Sequence, residues 1–163
     1  MIQVLIVCTG NTCRSPMAEG ALRSLLPAEL AAQVRVLSAG TNAVPGVPAT
    51  PLAVSTTGSR GIDLRAHQST SLTPELIRES ELILGMEPGH VARARELAPD
   101  AADRIHLITE QGADGAEASR SGIHDPIGGT SVEYDDTFNR IRSHLLRWLP
   151  LIREAVERRE GVR

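Results

Sequence analysis

Four short apolar runs punctuate the chain, Val4 to Val7, Val34 to Ser38, Leu82 to Met86 and Ile105 to Ile108, and read as strands with helical stretches between them. That alternation argues for an α/β fold: a three-layer arrangement in which a four-stranded parallel sheet is flanked by helices on both faces. Sheets of this kind place ligands at the carboxyl ends of their strands. Towards the C-terminus Phe138, Ile141, Leu145, Trp148, Leu149, Ile152 and Val156 recur at helical spacing and mark a core-facing helix, which Pro150 is expected to kink. The charges from Arg153 to Arg163 read as a solvated, fraying end. Thr73-Pro74 has the form of an N-cap with proline at the first helical position, and Thr130 with Glu133 that of a capping box. The one long loop, Gly112 to Gly122, is rich in Gly, Ala and Ser, and loops of that kind often border active sites.

The first strand leads directly into Cys8-Thr9-Gly10-Asn11-Thr12-Cys13-Arg14-Ser15, which in turn leads into the helical stretch Pro16 to Leu26. A strand, a short loop and a helix start converge several unpaired backbone N–H groups on one spot, where the helix dipole adds positive charge. That spot favours an oxyanion. Gly10 clears the inner wall and Asn11 tolerates left-handed backbone, so the loop can curl tightly. The planar fork of Arg14 matches two phosphate oxygens, and Cys8 lies at the base, under the phosphorus. The same donors favour the thiolate form of Cys8, with Ser15 able to donate to the sulfur. Thiolate attack on phosphorus divides hydrolysis into two steps through a cysteinyl-phosphate and requires neither metal nor cofactor. A Walker A loop needs lysine, and all 17 basic residues of this chain are arginine.

At 163 residues the chain forms a single domain, residues 1–163. Aromatic residues make up 2%, so the core is built from Leu, Ile, Val and Ala. A net charge of −3 gives no basic surface for nucleic acid, and no stretch approaches a membrane span. The N-terminus lacks the basic start and long apolar run of a signal peptide, so the expected location is cytoplasmic and the expected state a monomer. With only Cys8 and Cys13, neither a disulfide scaffold nor a zinc site can be built, but the curl of the loop brings the two close enough to pair on oxidation.

The departing group needs a proton. His124-Asp125-Pro126-Ile127-Gly128-Gly129-Thr130 supplies a candidate acid in Asp125, which would then act as base on the water that cleaves the cysteinyl-phosphate. His124 is read as exposed.

Val7-Cys8 through Ser15-Pro16-Met17-Ala18-Glu19 resembles the signature loop of the low-molecular-weight protein tyrosine phosphatase family. Ser38-Ala39-Gly40-Thr41 resembles its second-strand motif, Asp125-Pro126 its general acid, and Ile62-Asp63-Leu64 with His67 a further element. The likeness covers nearly the whole chain. It implies that Thr9, Gly10, Asn11, Thr12, Cys13 and Arg14 bind phosphate, and that Asn11, Ser15, Ser38 and His67 form a network holding the loop. Thr12 stands where tyrosine phosphatases usually carry an aliphatic residue, and Ile127-Gly128-Gly129 where they carry aromatics. Both features look like the bacterial protein arginine phosphatases. A hydroxyl beside the nucleophile suits a phosphoguanidinium, and the Asp125 carboxylate could pair with the cation. Thr70 replaces a common basic residue and Glu87 a common Asp or Thr. The family's arsenate reductases need further cysteines downstream, which this chain lacks.

The leading expectation is a metal-independent protein phosphatase acting on phosphoarginine, with phosphorylated proteins as partners and inorganic phosphate as product. A tyrosine phosphatase with a roomy pocket, into which Tyr134 swings, is the nearest alternative. A phosphate-binding or thiol-redox sensor switched by the Cys8–Cys13 pair is the alternative of another class.

Overall fold

The computed structural model describes residues 1–111 and 118–161. Its centre is Ile2–Cys8 (β1), a strand buried along its whole length. On one side it pairs with Val34–Gly40 (β2), on the other with Leu82–Gly85 (β3), which pairs in turn with Ile105–Leu107 (β4). All pairings are parallel, and the spatial order is β2-β1-β3-β4. The four expected strands are therefore present, each within a residue or two of its apolar run.

Parallel strands buried on both faces need cover on both faces. Ile2, Val4, Ile6 and Cys8 point to a layer formed by Arg14–Leu25 (α1), Ala28–Ala31 (α2), Pro51–Gly58 (α3) and the long C-terminal helix. Leu5 and Val7 point the other way, onto Ile77 of Pro74–Arg78 (α4), Val91 and Ala94 of Pro88–Leu97 (α5), and Ala101 in a 3-10 turn, Pro99–Arg104. The period-two alternation of β1 thus divides the core into its two halves. As expected, Thr73 caps α4 by accepting from Leu76 N, and Thr130 and Glu133 exchange the two bonds of a capping box.

The segment expected to be one loop contains a helical turn, Ala118–Ser121 (α6); residues 112–117 of it lie outside the described residues. The last helix, Ser131–Gly161 (α7), runs 31 residues straight through Pro150. Proline deprives the Leu146 carbonyl of its helical donor, yet the helix continues on both sides of it. Of the charged end, the described part through Gly161 is helical and largely exposed, with Val156 buried and Arg153 and Arg159 paired with Glu29 and Glu81; residues 162–163 lie outside the described residues. Trp148 anchors the middle of α7, donating from its indole N–H to the Ile108 carbonyl at 2.8 Å.

Because β1 has neighbours on both sides, the chain reverses its winding direction between β1 and β3, and sheets of this kind bind ligands at the carboxyl ends of the strands at such a point. Register brings Cys8 level with Gly40 and Val7 level with Gly85 there. Gly40 is a point of forced contact: a Cβ on it would lie 2.4 Å from the Thr9 carbonyl oxygen and 3.0 Å from Asn11 N. Gly40→Ala is expected to push the 8–15 loop aside and lower kcat/KM about a hundredfold, with a matching loss of inhibition by inorganic phosphate. Wild-type constants for that variant would show that the loop absorbs the methyl group.

Candidate active site

Residues 8–15 leave β1, curl, and enter α1. The curl turns on Asn11, which has φ of 56° and is fully buried. Left-handed backbone is costly for a residue with a Cβ, and Asn pays least among non-glycine residues. Its side chain has every hydrogen-bonding group engaged: Nδ2 donates to Ser15 Oγ at 2.8 Å and Ser38 Oγ at 2.9 Å, and Oδ1 accepts from Thr70 N at 2.8 Å. The Asn11 carbonyl accepts from His67 Nε2 at 2.7 Å, which places the proton on that ring nitrogen. Ser38 passes its own hydrogen to Glu19 Oε2 at 2.5 Å. The network expected of Asn11, Ser15, Ser38 and His67 is present, with Glu19 and Thr70 as additional members.

Cys8 Sγ accepts from Asn11 N at 3.2 Å and lies 2.9 Å from Ser15 Oγ. Since Ser15 Oγ already accepts from Asn11, its hydrogen is left to donate to the sulfur.

Arg14 is the first residue of α1 and is 1% exposed. Nη1 donates to the Ile123 carbonyl at 2.8 Å and lies 3.0 Å from Glu87 Oε2; Nη2 lies 3.5 Å from Asp125 Oδ2. Two carboxylates therefore flank one buried guanidinium, as burial of a charge requires. Nε is buried with no protein partner among the described residues. An unmet buried donor costs on the order of 1–3 kcal/mol, and an oxyanion held by the loop would meet it.

Asp125 is held by a local turn, its Oδ1 accepting from Ile127 N at 3.1 Å and from Cys13 Sγ at 3.3 Å. Burial pushes the Cys13 thiol up to about 12, with the charges of Asp125 and Cys8 adding to the effect, so Cys13 is protonated at neutral pH. The turn explains both glycines. Gly128 has φ of 77°, and a Cβ on Gly129 would lie 2.0 Å from Glu133 Oε2, the atom that caps α7. His124 is exposed, as expected. Tyr134 does not swing into the site: it is 2% exposed and its hydroxyl is bonded to Thr50 Oγ1 at 3.1 Å. Thr50 N in turn donates to the Thr12 carbonyl at 2.8 Å. Thr12 itself is half-buried and Thr9 exposed.

The sequence reading missed His90 and treated Glu87 only as a substitution. Both follow β3 directly, and the carboxyl end of a central strand was the signal available. His90 lies in the first turn of α5, with Nε2 2.8 Å from Thr9 Oγ1 and Nδ1 accepting from Glu87 N at 3.0 Å. Burial, aided by the charge of Arg14, lowers its pKa from 6.5 to about 4, against the opposing pulls of Glu87 and Asp125. The unfolded chain therefore binds this proton first on acidification. His90 leaves stability intact above pH 6.5 and reduces it as pH falls from 6.5 towards 4, by roughly 3 kcal/mol in full. Urea unfolding across that range is expected to show a steeper loss in the wild type than in His90→Asn, and parallel slopes would contradict the assignment.

Among the described residues no group of three or more His, Cys, Asp or Glu side chains is placed to hold a metal ion, and no helix is long and apolar enough to cross a membrane. Residues 3–160 match the model of the low molecular weight phosphotyrosine protein phosphatase family. The chain is 35% identical over 150 residues to a probable low molecular weight protein-tyrosine-phosphatase, EpsP, of Ralstonia solanacearum, covering 92% of this chain and 95% of that one. It is equally 35% identical, over 148 residues, to the protein-arginine-phosphatase of Bacillus subtilis, with 91% and 94% covered. Among solved structures, the YwlE arginine phosphatase from Geobacillus stearothermophilus superposes with a TM-score of 0.80 at 30% identity, over 99% of this chain and 97% of that one. A strand-loop-helix turn with a cysteine at its base, in a chain matched over residues 3–160, makes this protein a member of the low-molecular-weight protein tyrosine phosphatase family, whose members are metal-independent phosphatases.

Proposed function

We propose that the chain hydrolyses phosphoarginine on proteins, with Cys8 as nucleophile, Arg14 and the loop from Thr9 to Cys13 as phosphate cradle, and Asp125 as general acid and then base. The observation that carries this reading is the turn after Asp125-Pro126. Ile127 is exposed, two glycines complete the turn, and Tyr134 is tied inside the core by Thr50, so among the described residues this turn offers no Phe, Tyr or Trp ring to stack on a phenol. The Thr12 hydroxyl suits a polar group instead, and once its proton has passed to the departing nitrogen the Asp125 carboxylate can pair with the guanidinium cation.

In the first step the thiolate pair of Cys8 forms the S–P bond as the P–N bond breaks, and the departing nitrogen takes the proton of Asp125. In the second, water attacks phosphorus while Asp125 takes its proton, the S–P bond breaks, and thiolate and inorganic phosphate are released. Backbone N–H groups and Arg14 hold the equatorial oxygens throughout. The names of several relatives favour a second reading, in which the substrate is phosphotyrosine and the mechanism is unchanged.

We read Cys13 as the redox partner of Cys8. Its protonated thiol already donates to Asp125, which can take that proton when Cys13 attacks the sulfenic acid that peroxide forms on Cys8: the S–S bond forms, the S–O bond breaks, and the hydroxyl leaves as water. Brief treatment with peroxide is expected to give an intact mass lower by ~2 Da, and addition of oxygen without that loss would remove Cys13 from the role.

Three kinetic outcomes are expected. With Cys8→Ser as the inactive blank, kcat/KM on a phosphoarginine protein exceeds that on a phosphotyrosine peptide; the reverse order would support the second reading. Thr12→Ile shifts the ratio towards phosphotyrosine, and an unchanged ratio would clear Thr12 of any part in selection. Asp125→Ala lowers kcat by about 10²- to 10⁴-fold while phosphate inhibition persists, and full turnover would exclude Asp125 as the acid.

A further inference from the structure

The imidazole of His90 joins two parts of the site that come from different strands. Thr9, the first residue after Cys8, leaves β1, and Glu87 follows β3. His90 touches both, through Nε2 to Thr9 Oγ1 at 2.8 Å and through Nδ1 to the Glu87 backbone N–H at 3.0 Å. A ring nitrogen that accepts from an N–H carries no hydrogen of its own. The neutral ring is therefore the Nε2–H tautomer, and it donates to Thr9. Thr9 in turn keeps its own hydroxyl hydrogen.

The second contact bears on Arg14. The Glu87 whose backbone is held by Nδ1 is the residue whose carboxylate lies 3.0 Å from Arg14 Nη1. One ring thus sets the start of the phosphate loop relative to the partner of the phosphate-binding arginine. The ring is 5% exposed, so it is fixed by its surroundings, and the charged groups facing it are Arg14 from α1, Glu87 from its own helix end, and Asp125 from the acid turn. Burial keeps it neutral at physiological pH, the state both contacts need.

We propose that His90 is a positioning residue that registers Thr9 of the phosphate loop against the Glu87–Arg14 pair, so that loop donors and guanidinium converge on the same phosphate. This rests on the phosphatase activity of the family and is independent of whether the substrate is phosphoarginine or phosphotyrosine.

The test is a double-mutant cycle on His90→Asn and Thr9→Val, read with p-nitrophenyl phosphate as substrate and inorganic phosphate as competitive inhibitor. Asparagine places an oxygen near Nδ1 and retains the Glu87 contact but does not reach Thr9. Each single variant is expected to raise KM and the phosphate inhibition constant about tenfold, with a smaller change in kcat. The double variant is expected to be no worse than either single one, because both remove the same bond. Wild-type constants in either single variant, or losses that multiply in the double, would overturn the proposal. Nitrogen-15 NMR of the wild type at pH 7 provides a reading that does not depend on how the variants fold: Nδ1 unprotonated and Nε2 protonated is expected, and the opposite tautomer or an imidazolium would overturn it.

Discussion

The site depends on holding one asparagine in a backbone conformation it does not prefer. Left alone, residues 8–15 would relax towards ordinary φ values, and the N–H groups that point inward would disperse. What prevents this is not the loop but the elements around it. Ser15 in α1, Ser38 in β2, and His67 and Thr70 in the crossover to α4 each bond Asn11. The strain is local and its compensation is distributed, so the loop is rigid only as part of the whole first half of the fold. Pre-organisation of this kind lets donors meet developing charge without rearrangement.

The second constraint is charge. Arg14, the proposed phosphate clamp, is buried. Glu87 and Asp125 neutralise the guanidinium in the meantime, one carried by the strand beyond β1 and the other by the turn before α7. Asp125 thereby serves three ends, as counter-ion to Arg14, acceptor for Cys13 and candidate acid, and each explains part of its placement. The neutrality of His90 fits the same picture, since a further cation beside Arg14 would be unfavourable.

Much of this was legible before the fold was known, and the reasons are specific. β1 and its loop were readable because burial on both faces demands an unbroken apolar run, and because Gly10, Asn11 and Arg14 each meet a distinct demand of an oxyanion. The helix caps at Thr73 and Thr130 were readable because their bonds are local. What the sequence concealed was long-range or compensated. His90 and Glu87 make sense only once β3 is seen beside β1. Pro150, read as a kink, lies inside one helix of 31 residues. Gly128 and Gly129, read as marks of substrate choice, are also what the turn and the α7 cap require, so their presence answers to geometry before it answers to selectivity.

Cys13 and Asp125 are in contact across 112 positions of sequence. During synthesis, that distance becomes time. The residues that brace Asn11 have all been synthesised by residue 70, Glu87 follows, and Asp125 with the helix that fixes its turn comes last. A nascent chain thus carries the braced Cys8 loop before it carries Asp125, and the proposed site is complete only when its final helix closes over the first strand.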